Sequence, residues 1–303
     1  MVKARDELKE MGRGFRWGRR PLVPRSAEPF VEESFDEGFP TDWARSEGGV
    51  LARQAILNGI MQPIVRNELS LRVHGLDNLR GVPGPVLFFS NHSSHLDATL
   101  ILCTLPDRWQ RKTAVGAARD YFFDVWWRQA FTALVYGGFP IDRAKGGKGA
   151  IDKARELVRD GWSIVVFPEG TRSMDGHMQR FRHGSSRLAL ELGVPLVPIA
   201  IIGAYQAMPK GKWWPRPGRP VVTMRYGSPI EAGEGETHQS LSLRMQQAVA
   251  QMFDEDRSTW WESLRRAERG ATPSLAGPPG PSWRRTWEGM RPVARRGRPK
   301  AWD

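Results

Sequence analysis

Between residues 51 and 269, short apolar runs alternate with stretches of helical period, and this alternation constrains the fold more than any other property of the chain. Val86 to Ser90, Ser163 to Phe167, and Leu196 to Gly203 are runs of strand length, dominated by apolar residues and richest in β-branched ones in the last two. Apolar runs of this kind fit strands buried on both faces. Leu71–Val73 and Val221–Tyr226 read as further strands, Lys112–Gly116 as a weaker one, and Leu134–Ile141 as another. The helices expected between them are Leu51–Leu69 (limited or kinked at Pro63), Leu96–Thr104, Phe122–Ala133, Gly147–Arg159 and His183–Leu192. Thr237–Arg269 reads as one or two terminal helices. Strand-helix alternation implies an α/β fold with a largely parallel, mixed sheet flanked by helices. Both ends are rich in Pro, Gly and Arg and lack apolar periodicity, so 1–48 and 270–303 are expected to be poorly ordered tails around one domain, 49–269.

Composition narrows the function. The chain has 303 residues, 45 Lys+Arg against 33 Asp+Glu, and a net charge of +12. The charge is +5 over 1–25, −6 over 26–50, +8 over 51–269 and +5 over 270–303. An anionic partner is implied: lipid, nucleic acid or a phosphorylated small molecule. No signature of an RNA-binding or helix-turn-helix module is present, so nucleic acid is not expected. A single cysteine, Cys103, excludes an intrachain disulfide framework and any multi-cysteine metal site, and a reducing compartment is the natural setting. No apolar run is long enough to cross a bilayer as a helix, and residues 1–20 lack the apolar centre of a secretory signal.

Chemistry gathers where apolar strands end. Asn91-His92-Ser93-Ser94-His95-Leu96-Asp97 follows the first long run and opens a helix. In open α/β sheets, ligands collect at the carboxyl ends of strands. An Asp on one nitrogen of the His92 imidazole would fix its tautomer and leave the other nitrogen to take a proton from an alcohol. Ser94 and Asp97 also have the spacing of a capping box. The two readings are compatible, although one carboxylate is not expected to serve both equally well. Phe167-Pro168-Glu169-Gly170-Thr171-Arg172-Ser173 ends the second run. Gly170 permits close backbone approach, Thr171 and Ser173 carry hydroxyls, and Arg172 offers a planar fork for phosphate. An ordinary turn with a surface arginine fits equally. Arg143, in Gly137–Arg143, is either a second phosphate ligand or a solvated arginine paired with Asp142. Phe181-Arg182-His183-Gly184 adds charge. Neither a phosphate-binding glycine loop nor a nucleophile elbow is present.

In this order NHSSHLD, GGFPIDR, FPEGTRS and VPLVPI resemble the glycerolipid acyltransferase family, which includes 1-acylglycerol-3-phosphate (lysophosphatidic acid) acyltransferases. The resemblance spans roughly residues 70–230 and departs from the family at Pro140, where a bulky residue is usual, and at Arg182, often Lys. It implies His92 as general base, Asp97 as the group that orients it, and Arg143, Glu169, Gly170, Thr171 and Arg172 as the acceptor site. It further implies direct attack of the acceptor hydroxyl on the thioester of acyl-CoA or acyl carrier protein, with no cofactor, no metal and an inert Cys103. The implied product is phosphatidic acid. Glycerol-3-phosphate, a lyso-glycolipid or an amino-lipid is the alternative acceptor. Such substrates place the enzyme peripherally on an anionic membrane, at the cytoplasmic face of the cell membrane. The amphipathic stretch Leu51–Leu69 is one candidate contact, with packing against the core as its alternative. The Lys210, Lys212, Trp213, Trp214, Arg216 cluster is a second. The Trp- and Arg-rich end, including Trp260, Trp261, Trp283, Trp287 and Trp302, is a third.

Overall fold

The computed structural model of the chain describes residues 41–118, 126–141, 148–278 and 280. A 3-10 turn, Asp42–Arg45, leads into helix α1, Glu47–Ile56. The Ser46 hydroxyl accepts the Gly49 N–H at 3.2 Å. That cap satisfies one of the orphan donors of the first turn and starts the helix four residues before Leu51. A π-helical turn, Leu57–Met61, joins α1 to α2, Gln62–Glu68. Pro63 has no N–H to return to the preceding turn, and the kink expected there takes the form of this wide turn.

The strands are β1 (Ser70–His74), β2 (Leu87–Ser90), β3 (Thr113–Ala118), β4 (Phe139–Ile141), β5 (Ser163–Val166), β6 (Leu196–Ile202) and β7 (Val221–Tyr226). They form one sheet in the order β1-β7-β6-β2-β5-β3-β4. All neighbours are parallel except β6 and β7, so the largely parallel mixed sheet expected from the alternation is present. The helices between strands are α3 (Leu96–Thr104), α4 (Asp107–Arg111), α5 (Trp126–Tyr136), α6 (Lys148–Arg159), α7 (His183–Leu192) and the short α8 (Ala204–Ala207). The chain continues through α9 (His238–Arg257) and α10 (Trp260–Glu268). Among the described residues no helix is long and apolar enough to cross a membrane.

Side chains alternate across the sheet and split the core in two. Val86 and Phe88 join Leu57, Val65, Leu100 and Ile101 on one face, against α2 and α3. Leu87 and Phe89 join Leu157, Leu188, Leu241 and Met245 on the other, against α6, α7 and α9. β2 lies between β5 and β6, and all its residues are buried.

One expected strand is corrected, and two further readings are made specific. Leu134–Tyr136 is helical, and only Phe139–Ile141 is a strand. Ala133 and Val135 are buried, because a helix facing the core yields as apolar a run as a strand does. Gly137, with φ of +59°, ends that helix, and the Gly138 N–H returns to the Thr132 carbonyl at 3.1 Å. In the 51–69 stretch, Leu57, Val65 and Leu69 are buried in the core, whereas Leu51, Ile60 and Ile64 stay exposed. The stretch is thus a packed helix with an exposed apolar fringe. Beyond α10 the chain lies against the loop after β5: the Met178 N–H donates to the Leu275 carbonyl at 3.0 Å, and Gly277 sits against the His177 ring. Arg143, residues 1–40, Trp283, Trp287 and Trp302 lie outside the described residues.

Candidate active site

Strand register brings the two main motifs together. Phe89 pairs with Val166, so His92 and Glu169 each lie three residues beyond that pair at the carboxyl edge of the sheet. Asn91 anchors the histidine loop. Its side-chain amide donates to the Ile201 carbonyl at 2.9 Å, and its Oδ1 accepts the Ile201 N–H at 2.8 Å, which extends the sheet ladder by one side chain. The Ser94 hydroxyl donates to the Met208 carbonyl at 2.7 Å. The Ser173 N–H donates to the His92 carbonyl at 2.8 Å and joins the two motif loops.

Asp97 is fully buried in the first turn of α3. Its Oδ2 lies 2.8 Å from His92 Nδ1 and also accepts the N–H groups of Ser93 at 2.7 Å and Ser94 at 2.9 Å. One oxygen therefore touches the imidazole and holds the loop ahead of α3, whose N-cap residue is His95 rather than the expected Ser94. Ser94 Oγ accepts the Leu96 N–H at 3.2 Å. His92 stacks on Phe167, with ring centroids 4.0 Å apart and planes inclined by 17°. Aspartate on Nδ1 and phenylalanine on the ring face hold the imidazole and leave Nε2 as the nitrogen able to take a proton.

His92 opens onto a cavity of about 1000 Å³. Val65, Leu69, Leu96, Tyr136, Phe167 and Leu188 contribute apolar wall, and Gly170 and Arg172 line it beside His92. Gly170 has φ of +71°, and a Cβ there would come within 3.0 Å of the Arg182 side chain. The left-handed backbone conformation favours glycine here, and a Cβ would press on the arginine folded over it. His95, unassigned by the motif, also lines the cavity and stacks on Trp213 at 5.6 Å. Burial, together with nearby Arg172 and His92, depresses its pKa to about 4, so it is a neutral imidazole at neutral pH. Cys103 is buried, and burial pushes its thiol up to about 12. A thiol so reluctant to ionise is a poor nucleophile.

Glu169 and Thr171 do not line the main cavity. Glu169 is buried behind the histidine loop, where Oε1 accepts the His92 N–H at 2.7 Å and Oε2 the Gln179 N–H at 2.8 Å. Its place is beneath His92, holding the backbone that carries the imidazole. Burial raises its pKa to about 8, against the pull of those two hydrogen bonds. A carboxyl whose pKa is higher folded than unfolded favours folding most at low pH, and that contribution fades as pH rises. Wild-type stability is therefore expected to contain a component that falls between about pH 4.5 and pH 8. In Glu169→Gln this component should vanish, and the unpaired Gln179 N–H should cost about 1–3 kcal/mol. Urea melts of both proteins across that pH range check the pair of outcomes. Among the described residues no group of three or more His, Cys, Asp or Glu is arranged to hold a metal ion.

Residues 70–202 match the family described as Acyltransferase. This part of the chain is similar to that family. The chain is 32% identical over 142 residues to the 1-acyl-sn-glycerol-3-phosphate acyltransferase BAT2, chloroplastic, of Brassica napus, covering 46% of this chain and 39% of that protein. It is 28% identical over 204 residues to the 1-acyl-sn-glycerol-3-phosphate acyltransferase of Cocos nucifera, covering 65% and 61%. The chain thus spans less than two thirds of either relative's length. The fold of the chain is similar to that of the 1-acyl-sn-glycerophosphate (LPA) acyltransferase PlsC from Thermotoga maritima, seen in its crystal structure. The TM-score is 0.53 at 24% identity, over 68% of this chain and 82% of that one.

Of the residues expected to act, the fold unites His92, Asp97, Gly170 and Arg172 around one cavity or its base, and places Glu169 behind it. The sequence motifs do not assign Arg187 or His238, which also line the cavity. Arg187 follows His183 by one helical turn, a spacing the sequence shows. Nothing in the sequence links His238 to either.

Proposed function

We propose that this protein transfers a fatty acyl group from acyl-CoA or acyl carrier protein to the free hydroxyl of 1-acylglycerol-3-phosphate, giving phosphatidic acid. The observation that carries the reading is the 2.8 Å contact between His92 and buried Asp97 at the wall of a large, mostly apolar cavity. His92 Nε2 takes the proton of the acceptor hydroxyl as its oxygen attacks the thioester carbonyl. Asp97 stabilises the imidazolium, which then returns the proton to the departing thiolate. No acyl-enzyme forms, and Cys103 takes no part. Arg172 binds the acceptor phosphate, joined by Arg143; Gly170 and Thr171 shape the loop, and Glu169 supports it. The similarity to 1-acyl-sn-glycerol-3-phosphate acyltransferases favours this acceptor over other hydroxyl lipids.

Arg172→Ala tests the assignment. It should raise KM for 1-acylglycerol-3-phosphate by roughly tenfold or more, the loss of a charge-assisted contact, and leave turnover of unphosphorylated monoacylglycerol unchanged. Equal loss with both acceptors would remove the phosphate role.

The protein works at the cytoplasmic face of an anionic membrane, bound peripherally. Ile64, Phe131, Trp213 and Trp214 are exposed apolar side chains that also line the cavity, and Lys212 stands among them. Trp213 is 80% exposed, while the Trp214 indole N–H holds its loop to Glu68 on α2 at 3.1 Å. An apolar rim with adjacent cations suits a headgroup boundary, where each cation contributes about 1 kcal/mol. Replacing Lys210 and Lys212 with alanine should therefore weaken binding to phosphatidylserine-containing vesicles by roughly thirtyfold at low salt. Vesicle co-sedimentation measures this, and binding to neutral vesicles should change little.

A further inference from the structure

The cavity straddles the edge of the sheet. On the face packed by α2 and α3 its wall is Val65, Leu69 and Leu96; on the face packed by α6 and α7 it is Ile151 and Leu188. Trp213 and Trp214 line it as well. So does a rim of different chemistry, made by His183, Arg187 and His238 with Arg182 beside them. His183 opens α7 and His238 opens α9, and their rings lie 5.4 Å apart. The two helix starts are held together by the Ser186 hydroxyl, which donates to the His238 carbonyl at 2.6 Å.

The arginines of this rim differ from their neighbours. Arg155 on α6 pairs with Glu191 of α7, and Arg244 on α9 pairs with Glu236. Among the described residues neither Arg182 nor Arg187 lies within ion-pair distance of a carboxylate, and both are exposed. Cations without acidic partners, set over an apolar wall, fit a ligand with an anionic end and an apolar arm.

We propose that this rim binds the phosphate groups of the acyl donor's phosphopantetheine carrier, with the arm running past Leu188 and Ile151 to His92. The inference rests on the acyl-transfer reading above and adds the donor's site to it. The chemistry of the two substrates separates their phosphates. In 1-acylglycerol-3-phosphate the phosphate is two carbons from the reacting hydroxyl, so it must sit next to His92, where Arg172 lies. In a phosphopantetheine thioester the phosphate is a whole pantetheine arm from the reacting carbonyl, so it belongs at an exposed rim.

The test uses the full chain carrying Arg187→Ala and His238→Ala together. Palmitoyl-CoA and palmitoyl-acyl carrier protein supply the phosphate from two sources, and palmitoyl-pantetheine lacks it. KM for whichever phosphate-bearing donor the enzyme uses should rise roughly tenfold or more, while kcat, KM for palmitoyl-pantetheine and KM for the acceptor stay as in wild type. An unchanged KM for the phosphate-bearing donors would overturn the proposal, as would equal losses with palmitoyl-pantetheine or a rise in acceptor KM alone. Equilibrium binding of free CoA and of the unacylated carrier protein gives a readout without turnover. Were wild type to transfer no acyl group yet bind either carrier roughly tenfold more tightly than the variant, the rim would stand and the proposed reaction would fall. Equal binding of both carriers to the two proteins would overturn the rim.

Discussion

His92→Ala is expected to lower acyl transfer by roughly a thousandfold or more, the range in which loss of a positioned general base falls, with little change in thermal stability. The imidazole is partly exposed at the cavity wall, and its contacts are Asp97 Oδ2 and the Phe167 ring. Its removal leaves no buried backbone group without a partner, because the Ser93 and Ser94 N–H groups still reach Asp97. KM for the acceptor should stay within a few-fold of wild type, since the base acts on the hydroxyl in the transition state rather than on binding. Steady-state rates and a thermal melt on the same preparation separate the two effects.

Asp97 should separate into two variants with different signatures. In Asp97→Ala the Ser93 and Ser94 N–H groups lose their shared acceptor inside a dry loop, at about 1–3 kcal/mol each. The protein should therefore be less stable by roughly 2–6 kcal/mol, as well as inactive. In Asp97→Asn the side-chain carbonyl can still accept both N–H groups and the His92 Nδ1–H. The fold should survive, but without the charge that stabilises imidazolium, kcat should fall on the order of a hundredfold to ten-thousandfold. If Asp97 only capped α3, Asp97→Asn would remain active. Denaturant melts together with kcat for both variants decide between the roles.

Much of this site is legible in the amino-acid sequence, because strand ends carry the chemistry and the strands are marked by their apolar runs. Val86–Ser90 and Ser163–Phe167 read as buried strands, and the loops that follow them meet because β2 and β5 pair in parallel. Direction is what a sequence does not supply. Glu169 is adjacent to Gly170 in the chain, yet its carboxylate turns behind the histidine loop while Gly170 faces the cavity. The spacing of Asp97 suits a cap and a partner for His92 alike, and only the geometry shows that Oδ2 reaches His92 and the loop N–H groups ahead of the helix. The end of the helix over Trp126–Tyr136 reads as a strand because a helix buried against a core carries the same apolar signal as a short strand. His183 and His238, far apart in sequence, meet only through the packing of α7 on α9.

The most direct measurement supplies acyl-CoA with an isotopically labelled acyl chain, together with 1-acylglycerol-3-phosphate and anionic vesicles. Mass spectrometry then follows the label in the lipid products and in the intact protein. The proposed chemistry gives labelled phosphatidic acid with wild type, none above background with His92→Ala, and no labelled adduct on the protein. Labelled phosphatidic acid at wild-type levels from His92→Ala, or an acyl adduct on the protein that chases into product, would contradict it.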